Sequence, residues 1–140
     1  MKHLPLMLAL GLMLTASPAA GRKRQPAPQQ IPILAWYSIP PGVFATQEHY
    51  QELRDAGFTH SFSHTYKYDD AIQALDLCAK VGLKCVFMCS ELEKEPEATA
   101  RKVSRHPGLG AYFLRDEPGN DAMPDLGLWA RRIESVDKEH

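Results

Sequence analysis

Asp69-Asp70-Ala71-Ile72-Gln73-Ala74-Leu75-Asp76-Leu77-Cys78-Ala79-Lys80-Val81-Gly82-Leu83-Lys84-Cys85-Val86-Phe87-Met88-Cys89 reads as helix, glycine and strand in one unbroken stretch. Two acids open it, which suits the positive N-terminal end of a helix. Ile72, Leu75, Cys78 and Ala79 recur at helical spacing and mark one buried face. Gly82 closes the helix, because glycine accepts the left-handed backbone that ends one. Leu83 to Cys89 is then a short apolar run of strand length, suited to a sheet covered on both faces.

Outward from this stretch the same order repeats. Upstream, Thr46 caps a helix that runs to Ala56 and closes at Gly57, and Phe58 to Thr65 reads as a strand. Ile33 to Tyr37 is the first strand. Downstream, Pro96 opens a helix with Glu95 and Glu97 at its start and Arg101, Lys102, Arg105 and His106 at its end, an order that suits the helix dipole. Pro107-Gly108 ends that helix, Leu109 to Leu114 is a fourth strand, and a last helix runs from about Pro124 to Val136. The repeat is roughly 25 residues, the size of a minimal β/α unit. Such alternation predicts an α/β fold with a parallel sheet.

No phosphate-binding glycine loop follows the first strand, since Ser38-Ile39-Pro40-Pro41-Gly42 lacks that pattern. A nucleotide-binding doubly wound sheet is therefore disfavoured, and a TIM-type (β/α)8 barrel is expected. A full barrel takes eight units and about 250 residues. Residues 31–140 hold four, so they are expected to be a half barrel truncated after the fourth unit, or one completed by a partner. An open half barrel leaves two edge strands and an uncovered sheet face, which predicts self-association.

Composition sets the class. The 140 residues are 44% hydrophobic and 24% charged, which excludes a disordered chain, and a formal net charge of -1 gives no electrostatic footprint for nucleic acid. Residues 1–19 read as a cleavable signal peptide: Lys2 and His3, an apolar run from Leu4 to Leu14 too short to span a bilayer, and small residues up to Ala19. Periplasmic or extracellular export without a stable membrane anchor is expected. Residues 20–30 are polar and proline-rich and read as a linker.

The three cysteines are Cys78, Cys85 and Cys89. On one strand, Cys85 and Cys89 would lie about 13 Å apart, too far for a disulfide. Cys78 is left as a candidate partner for either, and small buried apolar roles are the simpler reading. His60 and His64 are likewise too far apart on a strand to chelate one ion, so no metal or cofactor is expected.

The chemistry concentrates in Gly110-Ala111-Tyr112-Phe113-Leu114-Arg115-Asp116-Glu117-Pro118. An apolar strand ends there in two carboxylates and a proline that cannot continue a ladder. Parallel α/β folds place their reactive groups at such carboxyl ends.

Strand order and this motif resemble the N-terminal half of (β/α)8-barrel glycoside hydrolases of the clan in which Asn-Glu-Pro ends strand four. Ala111-Tyr112-Phe113-Leu114-Arg115-Asp116-Glu117-Pro118 looks like the variant in exported hydrolase-like proteins of polysaccharide-degrading bacteria, and Trp36-Tyr37-Ser38-Ile39-Pro40 is similar to that group near strand one. The resemblance covers about residues 31–140. It implies a carbohydrate substrate and gives Glu117 the general acid/base role, with a carboxyl whose affinity for protons is raised by burial or by a neighbouring carboxylate. Asp116 stands where the clan has Asn and can only accept a hydrogen bond when ionised. The clan's nucleophile ends strand seven, so no residue here takes that role. Trp36, Tyr37, His64, Tyr66 and Arg115 are the implied substrate-binding residues. Trp36 either stacks on a sugar ring or fills a barrel layer. The competing expectation is a carbohydrate-binding or structural relative without catalysis.

Overall fold

Strands and helices alternate along residues 31–140, the part of the chain that the computed structural model describes. The expected signal peptide and linker lie outside the described residues. Strand β1 is Leu34–Ala35, helix α1 is Gln47–Asp55, and β2 is His60–Ser61. Helix α2 is Tyr68–Val81, β3 is Lys84–Phe87, α3 is Ser90–Lys94 and α4 is Pro96–Val103. Strand β4 is Leu109–Tyr112, and a 3-10 turn at Asn120–Ala122 leads into α5, Met123–Glu134.

The punctuation residues act as expected. The Thr46 hydroxyl accepts the His49 N–H and caps α1, and Pro96 sits in the first turn of α4. Gly57 and Gly82 both have left-handed backbones, with φ of 95° and 77°, and turn the chain from α1 and α2 into the next strand. After Gly82 the Leu83 N–H donates to the Cys78 carbonyl at 2.9 Å, which locks that turn.

The four strands form one parallel sheet in the order β1-β2-β3-β4. Because spatial order follows chain order, right-handed crossovers put the helices on one face. The register confirms the sidedness. Ala35, Ser61, Cys85 and Leu109 are partners across the sheet, and each is at most 6% exposed. They lie under a core of Leu75, Leu77 and Cys78 from α2, Leu92 from α3, Val103 from α4 and Ile133 from α5. Each such aliphatic side chain contributes about 1.5–3 kcal/mol on burial. Gly108 brings β4 against α2 so closely that a Cβ there would run into the Leu75 carbonyl.

The opposite face carries the neighbouring row Leu34, His60 and Lys84. Leu34 is 39% exposed and Lys84 is exposed, so no layer covers this row among the described residues.

The strands are shorter than the apolar runs predict. Tyr37 has a left-handed φ of 50°, which breaks the extended run from Ile33 and ends β1 early. Phe58 to Thr65 contributes only His60–Ser61 to the ladder, although the Phe62 N–H still donates to the Ala35 carbonyl at 3.0 Å. Strand β3 stops at Phe87 and Cys89 caps α3, so Cys85 and Cys89 do not share a strand. Helix α3 itself was not anticipated: Cys89 makes no side-chain cap that sequence could announce. All three cysteines are free thiols and buried.

Candidate functional site

The segments leaving the carboxyl ends of the strands are tied to one another. After β1, the Ser38 N–H donates to the Phe62 carbonyl at 2.9 Å, and the Ser38 and Ser61 hydroxyls pair at 2.7 Å. After β2, the Thr65 hydroxyl donates to the Met88 carbonyl at 2.6 Å and the Ser90 N–H donates to the Tyr66 carbonyl at 2.9 Å. After β4, the Phe113 N–H donates to the Phe87 carbonyl at 2.9 Å. Each bond crosses from one strand end to the next, so the side chains between them are held as a group.

That group is aromatic. Phe62 is fully buried and lies 4.4 Å from Phe113 and 4.7 Å from Trp36, centroid to centroid. His64 lies 5.1 Å from Phe62, and its Nε2 sits 3.5 Å from the Tyr37 hydroxyl. Tyr66 stacks on His64 at 6.0 Å with the rings 7° from parallel. The outer rings remain open: Trp36, Tyr37 and Tyr66 are 48%, 56% and 63% exposed. The arrangement is a buried Phe62 against a half-buried Phe113, carrying a rim of solvent-facing rings.

Beside the rim lies a cleft of about 790 Å³, lined among others by His64, Met88, Phe113, Arg115, Asp116 and Trp129. Its volume falls in the range of small-ligand sites, roughly 300–1,000 Å³. Glu93 and Asp125 add two carboxylates to its wall and Arg132 a guanidinium. Arg132 is engaged elsewhere, since its Nε and one terminal nitrogen each donate to Glu97 at 2.7 Å. Those bonds hold the Glu97 carboxyl below its usual range. Arg115 is thus the cleft cation that has no carboxylate within salt-bridge distance among the described residues. A smaller cavity of about 280 Å³ adjoins His64, between Tyr37, Pro40, Pro41 and Ser63, where the buried Ser63 hydroxyl has no partner among the described residues.

The structure brings His64, Arg115 and Asp116 together in one cleft, with Trp36, Tyr37 and Tyr66 on the neighbouring aromatic rim. It places Glu117 differently from expectation. β4 ends at Tyr112, so Asp116 and Glu117 stand in the loop beyond the strand rather than on alternate faces of it. Glu117 has a left-handed φ of 41° and is exposed, so these residues do not build the buried carboxyl expected of an acid/base. Glu117 does not line the cleft, whereas Asp116 does. Among the described residues the non-glycine positions with positive φ, Tyr37 and Glu117, leave the same end of the sheet, and such backbone strain of about 1–3 kcal/mol concentrates at working sites.

Sequence reasoning missed Phe62 and Phe113 as the floor and Trp129 as a wall. Phe113 lies in the motif itself, two residues before Arg115, and a side-chain alternation count along that run finds it. Trp129 is set by α5, where its indole N–H donates to the Leu92 carbonyl at 3.0 Å. Among the described residues no group of three or more His, Cys, Asp or Glu is placed to hold a metal ion, and no helix is long and apolar enough to cross a membrane. Comparison with protein-family models, curated proteins and solved structures gives no match for this chain.

Proposed function

We propose that this chain is an exported glycoside-hydrolase-like protein whose residues 31–140 form the first four units of a (β/α)8 barrel, the others being supplied by further chain or by a partner. The observation that carries the reading is the cleft at the carboxyl ends of the strands, where Arg115 and Asp116 meet His64 beside exposed Trp36, Tyr37 and Tyr66. Sugars are bound in this way: aromatic faces take the apolar side of the ring and charged groups take the hydroxyls. On this reading Glu117 protonates the leaving oxygen and then deprotonates water, and the rest of the barrel supplies the second carboxylate. Closing the barrel is also what would bury Glu117.

The test is turnover of a panel of aryl glycosides by the natural exported protein, after its intact mass has been measured. A mass well above 15.7 kDa is expected. Glu117→Gln should lower turnover by about 10²–10⁴-fold and leave sugar affinity in place. Unchanged turnover removes Glu117 from the mechanism.

One observation favours a second reading, a carbohydrate-binding relative without catalysis: the residue that lines the cleft is Asp116, and Glu117 is outside it. That reading expects sugar binding without turnover, and at least a tenfold loss of affinity in Tyr66→Ala.

A further inference from the structure

Ser61 ends β2 and Ser63 follows just beyond it, and both meet the segment that leaves β1. Only Ser61 finds a partner there, pairing with Ser38, hydroxyl to hydroxyl, at 2.7 Å. Ser63 lines the cavity of about 280 Å³ together with Pro40 and Pro41 of that segment, Tyr37 and His64. Its hydroxyl oxygen is buried and has no hydrogen-bond partner among the described residues. Such a group is costly to leave unmatched, and it is able both to donate and to accept. The surrounding wall is fixed. The Ser38 N–H donates to the Phe62 carbonyl at 2.9 Å, and the rings of Pro40 and Pro41 each lock a backbone angle. Tyr37 and His64, whose hydroxyl and Nε2 lie 3.5 Å apart, add two further hydrogen-bonding groups. No Asp, Glu, Lys or Arg lines this cavity among the described residues, whereas the larger cleft holds Glu93, Arg115, Asp116 and Asp125. His64 lines both spaces and stands between them. The volume is just under the small-ligand range of roughly 300–1,000 Å³, which suits one ring and not a chain.

We propose that this cavity binds one neutral, hydroxyl-bearing ring, the terminal unit of a saccharide whose next unit lies across His64 in the cleft, and that Ser63 selects the ring by pairing with one of its hydroxyls. The proposal rests on the carbohydrate reading above and adds to it a specificity for the chain end. Pro40, Pro41 and the Tyr37 ring supply apolar surface for the ring to lie on. The Ser63 hydroxyl gains from the ligand the bond it lacks in the free protein. A ring without that hydroxyl leaves Ser63 unpaired again and is rejected. A carboxylate or ammonium on the terminal ring meets a wall with no countercharge and loses its hydration. Charged units are therefore confined to the cleft.

Titration calorimetry on the full chain tests this with neutral gluco-, manno- and xylo-oligosaccharides. For the one that binds, the probes are versions whose terminal unit lacks a single hydroxyl or carries a carboxylate. One of the deoxy versions should bind about tenfold more weakly than its parent, and the carboxylate version at least tenfold more weakly. Ser63→Ala should lose about tenfold for the parent and no longer distinguish it from that deoxy version. Its urea midpoint should equal or exceed that of the unsubstituted chain, because an unpaired buried hydroxyl has been removed. The deoxy and carboxylate probes are read on the unsubstituted chain, so they stand even if Ser63→Ala folds poorly. Unchanged affinity in Ser63→Ala, equal binding of all the deoxy versions, or tighter binding of the carboxylate version would each overturn the proposal. Those results would leave the carbohydrate reading in place, with Tyr66→Ala as its own test. Failure of every saccharide to bind would overturn both.

Discussion

Residues 116 and 117 show how one position of offset changes chemical role. In an extended strand the two side chains would point to opposite faces. Here the strand has already ended, and the left-handed backbone at Glu117 turns its carboxylate out to solvent while Asp116 meets the cleft. The Asp-Glu-Pro motif was legible as the close of an apolar run, because a proline after acids cannot continue a ladder. The direction in which each acid points was not, because it depends on a φ angle that glutamate rarely adopts. Gly108 carries the opposite lesson. Its need for glycine comes from close approach to the Leu75 backbone rather than from a turn. Gly108→Ala should therefore destabilise the fold by about 1–3 kcal/mol, the usual cost of overpacking, seen as a lower urea midpoint. An unchanged midpoint would mean that β4 and α2 separate freely.

Elements were legible where a single residue carries the instruction. Thr46, Gly57, Gly82 and Pro96 each mark a helix boundary by a local mechanism, and each is found doing so. Thr46→Ala should cost about 1 kcal/mol, since the His49 N–H loses its acceptor, and a Gly57 replacement is the wrong control because it strains the turn instead. Thermal unfolding followed by circular dichroism measures the difference, and Thr46→Ser should restore it. Strand lengths were less legible. Apolar character persists through Trp36-Tyr37 and Phe113 beyond the regular ladder, where Trp36 packs on Tyr37 and Phe113 and one bond from the Phe113 N–H to the Phe87 carbonyl carries the pairing past Tyr112. Helix α3 begins without a side-chain cap, and its acids Glu91 and Glu93 read equally well as loop. The aromatic floor escaped notice because Phe62 and Phe113 follow two strands, β2 and β4, that are distant in sequence.

At the scale of the whole molecule, the end of α5 is fastened to β4 by one buried acid. Asp137 accepts the Tyr112 hydroxyl at 2.7 Å and the Glu139 N–H at 3.0 Å, and its other oxygen contacts reach His140. Burial alone would raise its proton affinity, but these donors outweigh burial and hold the carboxyl below the usual carboxylate range. A depressed value in the folded state stabilises the fold above the unfolded value and ceases to do so as pH falls through the folded one. Urea midpoints should therefore fall steeply below about pH 4, and Asp137→Asn should show a shallower acid limb. Parallel limbs in the two proteins would rule the clasp out as a source of acid sensitivity. The other whole-molecule expectation concerns the sheet face of Leu34, His60 and Lys84. With β1 and β4 unpaired on their outer edges among the described residues, the purified 140-residue chain should sediment as more than a monomer. A concentration-independent monomer would mean that the bare face is tolerated.

The strand order β1-β2-β3-β4 has a consequence for how the protein is made. Each strand after β1 pairs with the one synthesised just before it. A ribosome delivering the chain at about 5–20 residues per second therefore never exposes a strand that must wait for a distant mate. Each β/α unit has its docking surface ready as it emerges, and the nascent sheet grows at one edge only. Slowed translation at any point would leave a shorter sheet of the same design, with its newest strand at the rim.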